Sequence, residues 1–279
     1  MNPFQAAVLG VIQGLTEFLP VSSSGHLVIA QHLFGLKDPE VLFDVSVHIG
    51  TLVAVFIYFY RDLYAIAKAL LQHAPELLRP RALGTAIDRD PDLKMAWLIV
   101  IGTIPTGIIG LLLHRIVDRL FGSILLAGAM LTVTGLLLFF TRWTTGRPAG
   151  DRGGRLKNFQ TVKALVIGTV QGIAIIPGIS RSGSTIAAAL FLGLERETAA
   201  RYSFLLSIPA ICGAALLTLK DVSAQNAPQL PVLLIGALTS CAVGYLALKF
   251  LVYIVKRGRL HYFAPYVLAA GLFALIYGA

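Results

Sequence analysis

Apolar residues in this chain come in long runs, and the places where the runs break are as informative as the runs themselves. Six stretches approach or exceed the roughly 20 residues that carry a helix across a bilayer: 43–60, 95–113, 121–140, 202–219, 230–254 and 262–278. Two further stretches are broken. Residues 3–20 contain Gly10, Gly14 and Pro20 and are followed by a short run at 26–36, while 161–176 and 184–194 are separated by the turn PGISRSG. None of these four pieces is long enough to cross alone, so each pair is expected to form a re-entrant helical hairpin, 3–36 and 161–194, with its polar turn at membrane depth. Between the spans lie a polar stretch at 61–94, with a short amphipathic piece near Leu63–Leu71, and a short link, His114–Leu120.

Two matching halves result: 1–140 and 161–279, each a hairpin followed by three spans, joined by a Gly- and Arg-rich connector at 141–160. Gly10-x-x-Gln13-Gly14 recurs as Gly168-x-x-Gln171-Gly172, and Ser22-x-Ser24-Gly25 as Ser180-x-Ser182-Gly183, both at an offset of 158 residues. Pro20 and Pro177 miss that register by one. Three spans per half is an odd number, so the second hairpin must enter from the opposite side. The expected fold is therefore an all-α polytopic membrane protein with an inverted-topology repeat, whose two polar turns meet near the midplane.

Composition supports the membrane reading. Of 279 residues 56% are hydrophobic and 13% charged, with mean hydropathy +0.78, against about 25% charged in soluble domains. The alternating pattern of a membrane barrel is absent. The net charge of +9 would suggest nucleic acid in a soluble protein; here basic loops set orientation, and no nucleic-acid partner is expected. Seventeen lysines and arginines fall on the side reached after the first span and four (Lys37, Arg115, Arg119, Lys220) on the other, leaving aside Arg181 and Lys249 inside apolar segments. Both termini and the mouth of the first hairpin are thus expected to face outward. The N-terminus lacks the basic region of a cleavable signal peptide. Cys212 and Cys241 sit in apolar segments without metal-ligand spacing and read as small packing residues.

The turns carry the chemistry. Gln13 and Glu17 share a helix face and offer an amide oxygen beside a carboxylate, a pairing suited to a hard divalent cation, Mg²⁺ or Ca²⁺. Ser22, Ser23, Ser24, Gly25 and His26 supply hydroxyls, a permissive backbone and an imidazole; a helix starting near Gly25 would turn free amides toward an anion. Ser-rich turns are commonly helix caps, but a carboxylate in a membrane segment is costly and marks function. In the matching turn Arg181, between Ser180 and Ser182-Gly183, is the side chain that grips phosphate through a planar fork. A carboxylate, hydroxyl, imidazole and arginine at one midplane cavity suit phosphoryl transfer. His48 and Thr51 are placed to line the same cavity, and Asp44 is expected to cap the first full span.

These motifs, Gln13-GLT-Glu17, PVSSSGH at 20–26 and PGISRSG at 177–183, resemble those of the undecaprenyl-diphosphatase family, bacterial membrane phosphatases linked to bacitracin resistance. The first acidic position of the family pattern is Gln here. The resemblance implies removal of the terminal phosphate of undecaprenyl diphosphate, recycling the lipid carrier of cell-wall synthesis. It further implies a divalent-cation requirement and an outward-facing site in the bacterial inner membrane. By the same resemblance Glu17, Ser23, His26 and Arg181 are the principal catalytic positions and Gln13 with Glu17 the metal side; either Ser23 or His26 could attack phosphorus. Broken helices meeting at mid-membrane are also transporter architecture, so a lipid-phosphate flippase is the rival reading; a channel is disfavoured because the polar groups form one cluster. Small residues from Gly128 to Gly135 could pack helices within one chain or between two copies in a homodimer.

Overall fold

A computed structural model describes residues 1–36, 41–77, 80–113, 123–144, 156, 159–221 and 229–277. The link His114–Leu120 and most of the 141–160 connector lie outside these residues. Among the described residues there are helices and no strand. In chain order they are α1 (Pro3–Phe18), α2 (Ser23–Leu33), α3 (Val41–Tyr58), α4 (Tyr60–Gln72), α5 (Ala74–Leu77), α6 (Pro80–Arg89), α7 (Pro91–Leu113) and α8 (Ile124–Phe140). Then come α9 (Thr161–Ile173), α10 (Arg181–Phe191), α11 (Arg196–Asp221), α12 (Leu230–Lys256) and α13 (Ala264–Tyr277). Among the described residues four helices are long and apolar enough to cross a membrane, and there are five if the pair α3–α4, bent by 76°, is taken as one span. Exposed side chains such as Leu111, Leu112, Leu238 and Leu246 would make a soluble protein aggregate; on a membrane protein they are the lipid-facing coat.

The short helices are positioned by close crossings. Asn2 Oδ1 accepts from the Gln5 backbone N–H and Gln5 Oε1 accepts from the Asn2 N–H, which with Pro3 fixes where α1 starts. Its glycine stripe then seats on α12: a Cβ on Gly10 would lie 2.7 Å from the Gly236 carbonyl, and one on Gly14 2.8 Å from that of Ser240. In the same way α9 seats on α7, where Gly168 faces the Gly102 backbone and Thr106 Oγ1 donates to the Gly168 carbonyl at 2.8 Å. Small residues let backbones approach where lipid provides no hydrophobic drive for association. The Gly128–Gly135 patch is used within the chain: Gly128 meets Gly271 and Leu275, and Gly135 meets Leu268, joining α8 to α13.

Beneath the two turns Phe18 stacks edge-on against Phe204 of α11, with ring centroids 5.7 Å apart, closing the floor of the polar region with apolar packing. At one end of the bundle Arg201 of α11 bridges Asp62 of α4 (2.7 Å) and Asp92 of α7 (3.5 Å). That holds α4, which buries Ile66 and Ala69 and leaves Tyr64 exposed, across the end of the spans. One sequence expectation is corrected: Asp44 lies inside α3 and does not cap it, and it accepts from Gln31 Nε2 at 2.6 Å. The carboxylate ties α3 to α2.

The crossings predict a contrast within one helix. Gly102→Leu should cost about 1–3 kcal/mol by overpacking, because Tyr202 and Leu206 already fill the space beside it. Gly107→Leu meets nothing within 4 Å and should leave the melting temperature in detergent unchanged. Equal shifts for the two would contradict the packing.

Candidate active site

The first turn is strained in a way that aims it. Ser22 precedes α2 with φ 69°, the left-handed region that non-glycine residues avoid, and is the one such residue among those described. The chain reverses there, and α2 begins at Ser23, two residues earlier than the sequence suggests. The reversal returns Ser23 to the end of α1, where its Oγ donates to Glu17 Oε2 at 2.8 Å. One turn back on α1, Gln13 Nε2 donates to the same oxygen at 3.1 Å. Ser22 and Ser24 hydroxyls lie 3.4 Å apart, and space is open beside Gly25.

The second turn is held by α8. Thr134 Oγ1 donates to the Gly178 carbonyl and accepts from the Ser180 N–H, both at 3.1 Å. Gly178 has φ +92° and rides against Ala127 with no room for a Cβ. Ser180 then caps α10, its Oγ accepting from the Gly183 N–H at 3.1 Å and lying 3.3 Å from Ser182 Oγ. Arg181 is thereby the first residue of α10, and its Nη2 reaches Glu17 Oε1 at 2.5 Å. The turns touch directly as well: a Cβ on Gly183 would lie 2.9 Å from Pro20 Cβ.

Glu17 is thus the meeting point of both turns. Its side chain is 7% exposed and that of Arg181 16%. Desolvating the carboxylate alone would cost several kcal/mol; here Arg181 takes one oxygen, and Gln13 and Ser23 take the other. His48 Nε2 stands 3.7 Å from Oε2, with its Nδ1 bonded to the Asp44 carbonyl at 2.7 Å. Two buried atoms of this group have no hydrogen-bond partner, Arg181 Nη1 and Gln13 Oε1. An unpaired guanidinium nitrogen and an unpaired amide oxygen on side chains that share Glu17 are costly in a finished core and fit a ligand that carries both an anion and a cation. Removing either member of the Glu17–Arg181 pair leaves an uncompensated buried charge, worth about 3–5 kcal/mol.

The sequence-derived set divides. Gln13, Glu17, Ser23 and Arg181 come together, Ser180, Ser182 and Gly183 build the base under Arg181, and Ser22, Ser24 and Gly25 form the other rim. His26 is bonded elsewhere: Nδ1 to the Ser22 carbonyl at 2.9 Å and Nε2 to the Tyr266 hydroxyl at 2.7 Å. Tyr266 and Thr134 were not singled out from sequence. Each is an isolated polar residue in an apolar run, far along the chain from the group it serves, and no local motif marks it. Among the described residues no three His, Cys, Asp or Glu side chains are grouped to hold a metal. A cation at Gln13 Oε1 and Glu17 would need oxygens from substrate or water to complete its shell. Chemically the cluster is a hydroxyl, its carboxylate acceptor and a half-free arginine, the parts of an acyl- or phosphoryl-transfer site.

Residues 6–273 match the profile of a family described as bacitracin resistance protein BacA. Proteins named undecaprenyl-diphosphatase match along almost their whole length. One from Desulfatibacillum aliphaticivorans is 50% identical over 277 residues, 99% of each chain. One from Desulforapulum autotrophicum is 50% identical over 278 residues, 100% of this chain and 99% of the relative. One from Desulfosudis oleivorans is 52% identical over 275 residues, 97% of each chain.

Proposed function

The chain belongs to the bacitracin resistance protein BacA family, and on that premise we propose that Glu17, Ser23 and Arg181 hydrolyse the terminal phosphate from undecaprenyl diphosphate. The protein is a multi-span membrane phosphatase; its reaction yields undecaprenyl phosphate, the lipid carrier reused in cell-wall synthesis, and inorganic phosphate. The observation that carries the mechanism is one carboxylate joining a serine hydroxyl from the first turn to an arginine from the second.

The terminal phosphate sits on the free Nη1 of Arg181 and the amides at the start of α2, which no side chain caps. Ser23 Oγ forms a bond to phosphorus as its proton passes to Glu17 Oε2, and the bond to the bridging oxygen breaks, releasing undecaprenyl phosphate. Water then attacks the phosphoserine and gives a proton to His26, the bond from Ser23 Oγ to phosphorus breaks as Glu17 returns its proton to that oxygen, and inorganic phosphate leaves. Arg181 neutralises charge that develops on the phosphoryl oxygens, where preorganised donors contribute most. Mg²⁺ or Ca²⁺, held by Gln13 Oε1 and Glu17, supplies further neutralisation when bound. The bond from Ser23 to Glu17 favours hydrolysis over transport, since holding a lipid phosphate for flipping needs no activated hydroxyl.

Two features of the architecture support an inverted repeat of 1–140 and 161–279. Helices α2 and α10 start 158 residues apart, end 158 apart, and are preceded by Ser22 and Ser180 at the same spacing. Each half also lends its first helix to the other: α1 packs on α12, and α9 on α7. With 16 and 11 residues, α1 and α2 are about 24 and 16 Å long, short of the roughly 30 Å hydrocarbon core. This supports a re-entrant hairpin. The distribution of Lys and Arg supports a mouth facing outward from the plasma membrane.

Purified protein with Mg²⁺ should release phosphate from a long-chain prenyl diphosphate, and a chelator should remove that activity reversibly. Glu17→Ala, Ser23→Ala and Arg181→Ala should each lower kcat by about 10²–10⁴. No release by the wild type with metal would favour transport. For sidedness, in a Cys212/Cys241-free background of intact cells, a membrane-impermeant thiol reagent should label His32→Cys and spare Gly84→Cys. The reverse pattern would place the mouth inside.

A further inference from the structure

His26 is held from both sides, and the two contacts have different consequences. The atom facing Nδ1 at 2.9 Å is the Ser22 carbonyl oxygen, which can only accept. Nδ1 therefore carries a hydrogen, and in the neutral ring Nε2 is a bare lone pair. The atom facing Nε2 at 2.7 Å is the Tyr266 hydroxyl, which donates to it. The rings lie nearly parallel, 23° between planes with centroids 6.0 Å apart.

Tyr266 is poorly placed for a packing role. The residue is 54% exposed, so it contributes little to the core. Its backbone is fixed all the same: Ala264 and Val267 on either side are fully buried, in the helix that the Gly128 and Gly135 crossings lock to α8. The hydroxyl is presented by a rigid element, from 240 residues along the chain, to one nitrogen of one imidazole. A half-exposed tyrosine could satisfy its hydroxyl with water or a lipid headgroup; this one reaches into the polar turn instead.

We propose that Tyr266 is a positioning residue for the phosphatase reaction. With the Ser22 carbonyl it fixes the orientation of the His26 ring and its Nδ1–H tautomer, and its hydroxyl holds the lone pair of Nε2, the nitrogen that takes a proton once the hydroxyl turns aside. The proposal rests on the hydrolysis reading, and it adds a contribution from the last helix to a site whose other members come from the two turns. Tyr266 acts through His26 and does no chemistry itself. Its effect should therefore vanish when His26 is absent, which a loss of general packing would not do.

The test is a double-mutant cycle on phosphate release from a long-chain prenyl diphosphate. Tyr266→Phe, which keeps the ring and removes the hydroxyl, should lower kcat by about tenfold with little change in KM, the pattern of a lost transition-state contribution. In a His26→Asn background the same substitution should change kcat by less than about twofold. An equal loss in both backgrounds, or no loss in the wild type, overturns the proposal. A second readout needs no activity. In protein labelled with ¹⁵N-histidine, the signal absent from His26→Asn should report the Nδ1–H tautomer in the wild type and a mixture in Tyr266→Phe. An unchanged tautomer ratio overturns the proposal. If the wild type releases no phosphate the hydrolysis reading fails, and the ¹⁵N result still decides what Tyr266 does to His26.

Discussion

A carboxylate at membrane depth has to be neutralised by something, and in this protein the solution organises the whole fold. Glu17 is paired with Arg181 at 2.5 Å, yet the two residues sit at the ends of different short helices in different halves of the chain. Neither could stay charged and buried without the other. The pair therefore fixes where both turns must be, and each broken helix stops where it does because a polar turn is needed there. The apolar floor of Phe18 and Phe204 lies directly beneath.

Holding two turns at that spacing requires helices that approach more closely than side chains usually allow. Glycine supplies this at Gly10 and Gly14 on one side and at Gly168 and Gly102 on the other. The second turn gains a further support from Thr134, which accepts from one of its backbone groups and donates to another. These contacts are between backbones or between a hydroxyl and a backbone, so they hold position without filling the space that a diphosphate would enter. The unpaired Arg181 Nη1 and Gln13 Oε1 mark that space. Stability is given up locally so that ligand can restore it.

Much of this is legible in the sequence because the constraints are local. Glu17, Arg181 and the serine turns stand out against apolar surroundings, and the recurrence of Gly-x-x-Gln-Gly and Ser-x-Ser-Gly pairs the halves. The spans at 95–113, 202–219 and 230–254 fall within α7, α11 and α12, since long apolar runs leave little choice. What depends on contacts between distant residues could not be read. Tyr266 and Thr134 are ordinary polar residues inside spans until the fold brings them to His26 and Gly178. The repeat does not extend to the chemistry: Gln171 matches Gln13 in sequence but donates to Thr106 and the Leu206 carbonyl, and Ile175 stands at the position that corresponds to Glu17. Asp44 misled for a related reason; its partner is Gln31, on another helix.

The central claim is that the two turns are one site. It is tested most directly by joining them. In a Cys212/Cys241-free background, Pro20→Cys with Gly183→Cys places sulfurs on positions whose Cβ atoms would lie 2.9 Å apart, shorter than the roughly 3.5–4.5 Å of a disulfide, so the two turns part slightly to accept the bond. With a protease site inserted between residues 145 and 155, the account predicts that mild oxidation keeps the cleaved halves together until reductant is added. Halves that separate without reductant, although both cysteines react with a small thiol reagent, would contradict it.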